Sequence, residues 1–170
     1  ISGIFDQGLV KPDDVFFCNN GACNLEGRIL HDTHGGHGEL TVSEIIAYSS
    51  NIGMAKVGML MGNERMYRYL KQFNFGEKTG VELPGEIGGI FRPVKQWSKK
   101  YSLISISIGH EIAVTPLQFI TAFCSIPNGG LLLRPKIVKS TISSDNKRKE
   151  KFQSLQIVGR VISSNVARTI

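Results

Sequence analysis

Between Thr41 and Gly76 the signals for a helix come three times in close succession, and this punctuation constrains the fold more than any other stretch. Thr41 followed by Glu44 reads as a capping box, with Val42, Ile45 and Ile46 as an apolar stripe behind it. Ser49-Ser50-Asn51 interrupts the pattern and NIGMAKVGMLMG resumes it. A third helix is expected from Asn63 through ERMYRYLKQF, stopping at Gly76. Two apolar helices are therefore joined by nothing more than Ser-Ser-Asn.

The flanks read differently. Residues 1 to 10 have the pattern of a helix end closed by Gly8. KPDDVFFCNNGACNLEGRILHD carries turn signals at Pro12-Asp13 and Asn20-Gly21 between short β-rich runs, as in a small hairpin. THGGHGEL and GEKTGVELPGEIGG are Gly-rich loops. LISISIGHEIAV alternates apolar and small polar residues, as a strand or a buried segment before a turn does. Thr115-Pro116 opens a helix with Thr at N-cap and Pro at N1, and Asn128-Gly129-Gly130 ends it. LLLRPKIVKSTIS and QIVGRVIS read as strands around a basic tip, and SSNVARTI begins a last helix. Helices first and strands last favour an α+β fold over a βαβ repeat.

Composition narrows the class. At 170 residues with 41% hydrophobic and 20% charged residues, the chain fits one globular domain or a large piece of one. The apolar runs fall short of the roughly 18 residues a membrane span requires. The first residues, ISGIFDQGLV, lack a starting Met and a basic leader, the expectation being an internal fragment. Net charge is +6, drawn largely from Lys99-Lys100 and from DNKRKEK (Asp145 to Lys151). That run has no interleaved aromatics and contains Asp145 and Glu150, so it reads as a solvated tip and nucleic-acid binding is not expected. Cys18 and Cys23 flank a turn where a disulfide is open to them in an oxidising envelope. Cys124 falls on an apolar helix and is expected to pack as a small hydrophobe. His31, Asp32, His34 and His37 supply metal-ligand atoms, but in so Gly-rich a segment they read as a polar loop, and no metal or cofactor is expected.

In a continuous helix Ser49 and Asn51 would point about 200° apart. In an extended turn they share one side. A Ser hydroxyl both donates and accepts, and an Asn amide offers a carbonyl and an NH₂, a pair suited to passing a proton and holding a peptide bond. The competing reading is that Ser49 or Ser50 only caps the next helix. Ser163-Ser164-Asn165 is the internal control, the same tripeptide where capping explains everything.

The setting distinguishes the two. GHGELTVSEIIAYSSNIGMAKVG, FNFGEKTGVELPGE, Trp97-Ser98 and SIGHEIAVTPLQFITAFCSIPNGGLLLRPKIV, in this order, resemble the transpeptidase domain of class B penicillin-binding proteins, the division-associated type in particular, over residues 4 to 140. The resemblance implies a β-lactamase/transpeptidase-like fold, here a helical subdomain plus part of the antiparallel sheet, with residues 1 to 170 forming an incomplete domain. It also implies a peptidoglycan D,D-transpeptidase that cross-links stem peptides through a serine acyl-enzyme and binds β-lactams. The parent would be membrane-anchored outside this segment, on the outer face of the cytoplasmic membrane in the cell envelope, among other cell-wall synthesis or division proteins. By that similarity Ser49 relays a proton toward the leaving amine and Asn51 holds the substrate amide, these two being the catalytic residues expected here.

The other family elements are expected beyond these residues. Ser144-Asp145-Asn146-Lys147 has the Ser-x-x-Lys spacing but sits in a polar tip with no apolar helix to bury the Lys; the resemblance of FDQGLVKPD to the end of the family's nucleophile helix implies instead a motif just upstream of Ile1. Lys78-Thr79-Gly80 runs into Pro84-Gly85 and so does not read as the carboxylate-binding strand. At Gly109-His110-Glu111, Glu111 stands where relatives have Gly, so a backbone angle open only to Gly is expected to be lost. That departure motivates the alternative reading, a non-catalytic module binding cell-wall peptides or partner proteins.

Overall fold

The computed structural model describes residues 1–33, 35–144, 149–151 (backbone) and 155–170. His34 and most of the basic tip, Asp145 to Arg148 with the Ser-x-x-Lys lookalike's last three residues, lie outside them. The chain forms two compact units, one of residues 1–70 and 91–113, the other of residues 71–90 and 114–170.

In the first unit a short helix, α1 (Ser2–Asp6), precedes four strands. β1 (Val15–Phe17) pairs antiparallel with β4 (Glu39–Thr41), Phe16 opposite Leu40. β2 (Ala22–Leu25) and β3 (Arg28–His31) form a hairpin with Cys23 opposite Leu30. The hairpin turn is Glu26-Gly27 rather than the expected Asn20-Gly21. Both turn residues have positive φ, 54° and 87°, which matches the twist of a two-residue hairpin, whereas Asn19 to Gly21 make a 3-10 turn between strands. Strands thus come early as well as late.

Helices α2 (Val42–Ala47), α3 (Asn51–Met59) and α4 (Asn63–Gln72) follow as read from sequence. The Thr41–Glu44 capping box is complete: Thr41 Oγ1 accepts from the Glu44 N–H at 3.2 Å and Glu44 Oε2 accepts from the Thr41 N–H at 2.8 Å. α3 is the centre of this unit, with Ile52, Ala55 and Val57 fully buried. Two glycines let it be gripped. A Cβ at Gly53 would lie 2.5 Å from Ile45 of α2, and one at Gly58 would lie 2.6 Å from the Cβ of Ser107. Burying Ile45 and Ile52 completely contributes on the order of 2–3 kcal/mol each.

Ser107 belongs to α5 (Ser102–Ser107), preceded by a two-residue strand, β5 (Ile90–Phe91), and followed by another, β6 (Ile112–Ala113). The alternating LISISI run is therefore a helix. Ser105 Oγ returns to Tyr101 O at 3.0 Å and Ser107 Oγ to Leu103 O at 2.7 Å, while Ser102 Oγ donates to Glu111, so Ser102 and Ser105 are buried with their hydroxyls satisfied beside Ile104 and Ile106. A helix buried on every side shows no 3.6-residue period.

In the second unit α6 (Pro116–Cys124) starts on a capping box of Thr115 and Gln118. β7 (Leu131–Leu133) pairs antiparallel with β10 (Ile157–Arg160), and β8 (Ser140–Ile142) with β9 (Lys149–Lys151); α7 (Ser164–Thr169) ends the chain. The buried residues of α6 include a polar one. Gln118 Nε2 donates to Glu77 O at 2.6 Å and Gly88 O at 2.7 Å, fastening the 77–88 loop. Phe119, Ile120 and Phe123 are more than half exposed. Cys124 shares their side of the helix and is exposed, not packed, because Ala122 and Ser125 take the inward positions. Cys18 and Cys23 are buried free thiols.

Candidate active site

The Ser-Ser-Asn corner resolves into two terminal motifs sharing one residue. α2 ends in a Schellman motif: the Ser50 N–H reaches Ile45 O at 3.0 Å and the Ser49 N–H reaches Ile46 O at 3.2 Å. Ser49 is the left-handed residue this motif requires, φ 55°, a position that glycine ordinarily fills. Ser50 then turns extended, φ −68° and ψ 114°, and caps α3 by accepting the Gly53 N–H at 3.0 Å. Asn51 is the first residue of α3. The expected extended turn is thus realised at Ser50, while Ser49 is left-handed.

Capping accounts for Ser50 and leaves Ser49 unexplained. Ser49 is exposed and its hydroxyl makes no hydrogen bond to any described residue. A non-glycine residue held in the left-handed region costs roughly 1–2 kcal/mol, strain that persists only where the surroundings enforce it. Asn51 is half-buried. Its Nδ2 donates to His31 O at 2.9 Å, so β3 anchors the amide and the carbonyl oxygen stays unengaged among the described residues. Ser163-Ser164-Asn165 differs by one step of register: Ser163 itself is the N-cap, accepting from the Val166 N–H at 3.3 Å, and Ser164 and Asn165 are ordinary helical residues.

Beneath the corner, Asp32 accepts from the Ser50 hydroxyl at 2.7 Å with one carboxylate oxygen and from the Ile52 N–H at 3.0 Å with the other. The sequence pattern gave Asp32 only as one of several candidate ligands in a polar loop; a carboxylate eighteen residues before a helix start carries no local signal of this contact. Among the described residues no three His, Cys, Asp or Glu side chains gather as a metal site. The Cys18 thiol lies against this group and is pushed up in pKa, first by burial. On the exposed side Tyr48, next to Ser49, stacks on His37 with ring centroids 4.7 Å apart.

Two further motifs are settled by geometry. Lys78-Thr79-Gly80 is loop, not strand: Glu86 accepts from the Thr79 N–H, the Thr79 hydroxyl and the Gly80 N–H at 2.6, 2.5 and 3.0 Å, and Gly80 has φ 78°. The Thr79 hydroxyl bond leads the causes that hold the Glu86 carboxyl below its usual range. Glu111 corrects the expectation of a lost backbone angle, because it adopts φ 60° itself. Its carboxylate accepts from the Ser102 hydroxyl at 2.7 Å and from Arg92 at 2.5 Å. Burial acts to raise its pKa, but the Ser102 and Ser105 hydroxyls and the Arg92 and Arg28 charges outweigh it and the net shift is downward.

Helices and short antiparallel strands in one chain make this an α+β fold. Residues 2–170 match the penicillin binding protein transpeptidase domain, and the chain belongs to that family. It is 33% identical to penicillin-binding protein PbpB of Mycobacterium tuberculosis over 99% of this chain and 24% of that protein. It is 34% identical to stage V sporulation protein D of Bacillus subtilis over 97% of this chain and 25% of that protein. A crystal structure of penicillin binding protein 3 from Mycobacterium tuberculosis, complexed with aztreonam, superposes with a TM-score of 0.87 at 32% identity, covering 99% of this chain and 37% of that one. The chain thus spans about a quarter of the length of these two curated relatives. Among the described residues no helix is long and apolar enough to cross a membrane.

Proposed function

We propose that the protein carrying this chain is a peptidoglycan D,D-transpeptidase, and that residues 1–170 are part of its transpeptidase domain. Ser49 carries this reading: a serine occupies a position that glycine ordinarily fills, exposed and with its hydroxyl unengaged among the described residues, on the corner that the family resemblance marks as catalytic. The uncovered Phe119, Ile120 and Phe123 face of α6 supports the domain being larger than this chain.

In the proposed reaction a serine hydroxyl, supplied by a Ser-x-x-Lys motif outside these residues, attacks the D-Ala-D-Ala amide carbonyl of a stem peptide. The C–N bond breaks, an ester forms, and the proton passes through the Ser49 hydroxyl to the leaving amine. Asn51 holds the substrate amide. An amine of a neighbouring strand then attacks the ester, forming the cross-link and returning the proton to the serine. β-Lactams mimic the dipeptide and stop at the ester, as the aztreonam complex of the relative leads one to expect. The site would work in the cell envelope, on the outer side of the cytoplasmic membrane. A purely binding module has less support, since Glu111 keeps the left-handed backbone a glycine would give.

The test is labelling by a fluorescent penicillin. The complete protein is expected to label covalently and residues 1–170 alone not to label. Absence of label on the complete, folded protein overturns the proposal.

A further inference from the structure

Ser49 is strained and Asn51 is the first residue of its helix, so neither stays in place by its own local preferences. The first N–H groups of a helix have no partner within it. At α3 the Gly53 N–H is taken by Ser50 Oγ and the Ile52 N–H by Asp32 Oδ1, while Asp32 Oδ2 accepts the hydroxyl hydrogen of that same Ser50. One carboxylate thus closes a ring through Ser50 and the first turn of α3. Ser50 is 2% exposed, so water does not substitute for the carboxylate there. Asp32 is itself fixed, its N–H donating to Gly21 O at 3.1 Å. The preceding residue, His31, supplies the carbonyl that holds the Asn51 amide at 2.9 Å. Two consecutive residues at the end of the β2–β3 hairpin therefore hold the residues on both sides of the peptide bond between Ser50 and Asn51.

We infer that Asp32 is a positioning residue for the Ser49–Asn51 pair, acting through Ser50 and the α3 amides and not on substrate. The inference rests on the function proposed above. A carboxylate also suits this place electrostatically, because the positive end of α3 faces it. Alanine at 32 frees the Ser50 hydroxyl and the Ile52 N–H together. Asparagine keeps one oxygen for the Ile52 N–H and offers Ser50 an NH₂, so it retains the clamp in altered form.

The experiment compares Asp32→Ala and Asp32→Asn in the complete protein with two readouts. The first is hydrogen exchange at the Ile52 and Gly53 amides, which depends on no catalytic assumption. Alanine is expected to speed it about tenfold or more and asparagine to stay near wild type. The second is penicillin acylation, separated into binding and the covalent step. Alanine is expected to slow the covalent step about 10–100-fold with binding within about threefold, and asparagine to recover most of that loss. Wild-type exchange in the alanine variant overturns the clamp. Faster exchange with unchanged acylation, or an asparagine variant as slow as alanine, overturns the positioning role. If the wild type takes no penicillin, the proposed function fails and so does the inference drawn from it, while the exchange result still reports on the clamp alone.

Discussion

Replacing Gly58 with Ala tests how α3, the helix that carries the corner, is held. The added Cβ would fall 1.9 Å from Ser107 Oγ and 2.6 Å from Ser107 Cβ. Rotating Ser107 moves its oxygen but not its Cβ, so relief requires α3 and α5 to separate. Alanine gains about 1 kcal/mol over glycine in helix propensity, while overpacking costs about 1–3 kcal/mol, towards the upper end where no side-chain rotation helps. The expected result is a net loss of roughly 1–2 kcal/mol in urea denaturation followed by circular dichroism. Ser107→Gly clears both clashing atoms, so the double variant should be more stable than the sum of the two single losses by about 1–2 kcal/mol. A Gly58→Ala protein as stable as wild type, or strictly additive losses, would show that this contact does not hold the helix.

Three further outcomes are expected. Glu111→Gly relieves the left-handed strain, about 1–2 kcal/mol, but loses a carboxylate bonded to Ser102 and Arg92, about 1.5–3 kcal/mol. Glu111→Gln keeps the strain and an oxygen that still accepts from Ser102 and Arg92 but loses the charge, so thermal melting should place both variants below wild type; a Gly variant melting above wild type contradicts this. Glu86 has a lowered pKa when folded, so its contribution is complete above the unfolded value of about 4.3 and is lost as pH falls through the folded value. Amide exchange at Thr79 and Gly80 should therefore accelerate, after correction for intrinsic rates, only below that range, and a change centred near neutrality would count against it. Finally, a thiol reagent should modify exposed Cys124 at least about 100-fold faster than buried Cys18 and Cys23; three equal rates would mean that the first unit opens readily.

The parts of the fold legible in sequence were those with local causes. Thr41–Glu44 forms the box that its spacing predicts, and Thr115 caps its helix with Pro116 at N1 as read, Gln118 completing a second box. The helices beginning at Asn51 and Asn63 likewise follow from short-range pattern. Long-range causes were not legible. The 102–107 helix alternates like a strand because its surroundings bury both faces, and Cys124 is exposed because α6 turns Gln118 inward to two loop carbonyls. At the candidate site the residue types of Ser49 and Asn51 were visible, but the register of the corner was not. The identical tripeptide at 163–165 caps one residue earlier, and what separates the two is the left-handed end of α2 together with Asp32, which comes from a hairpin far along the chain.

The central claim is that the Ser49 hydroxyl is retained, against backbone preference, for proton transfer. Ser49→Gly in the complete protein separates the two demands, since glycine suits φ 55° and removes the hydroxyl. Penicillin acylation is expected to slow about 100-fold or more while stability holds or rises by up to about 1 kcal/mol. Acylation at the wild-type rate would contradict the claim and leave Ser49 as a turn residue only.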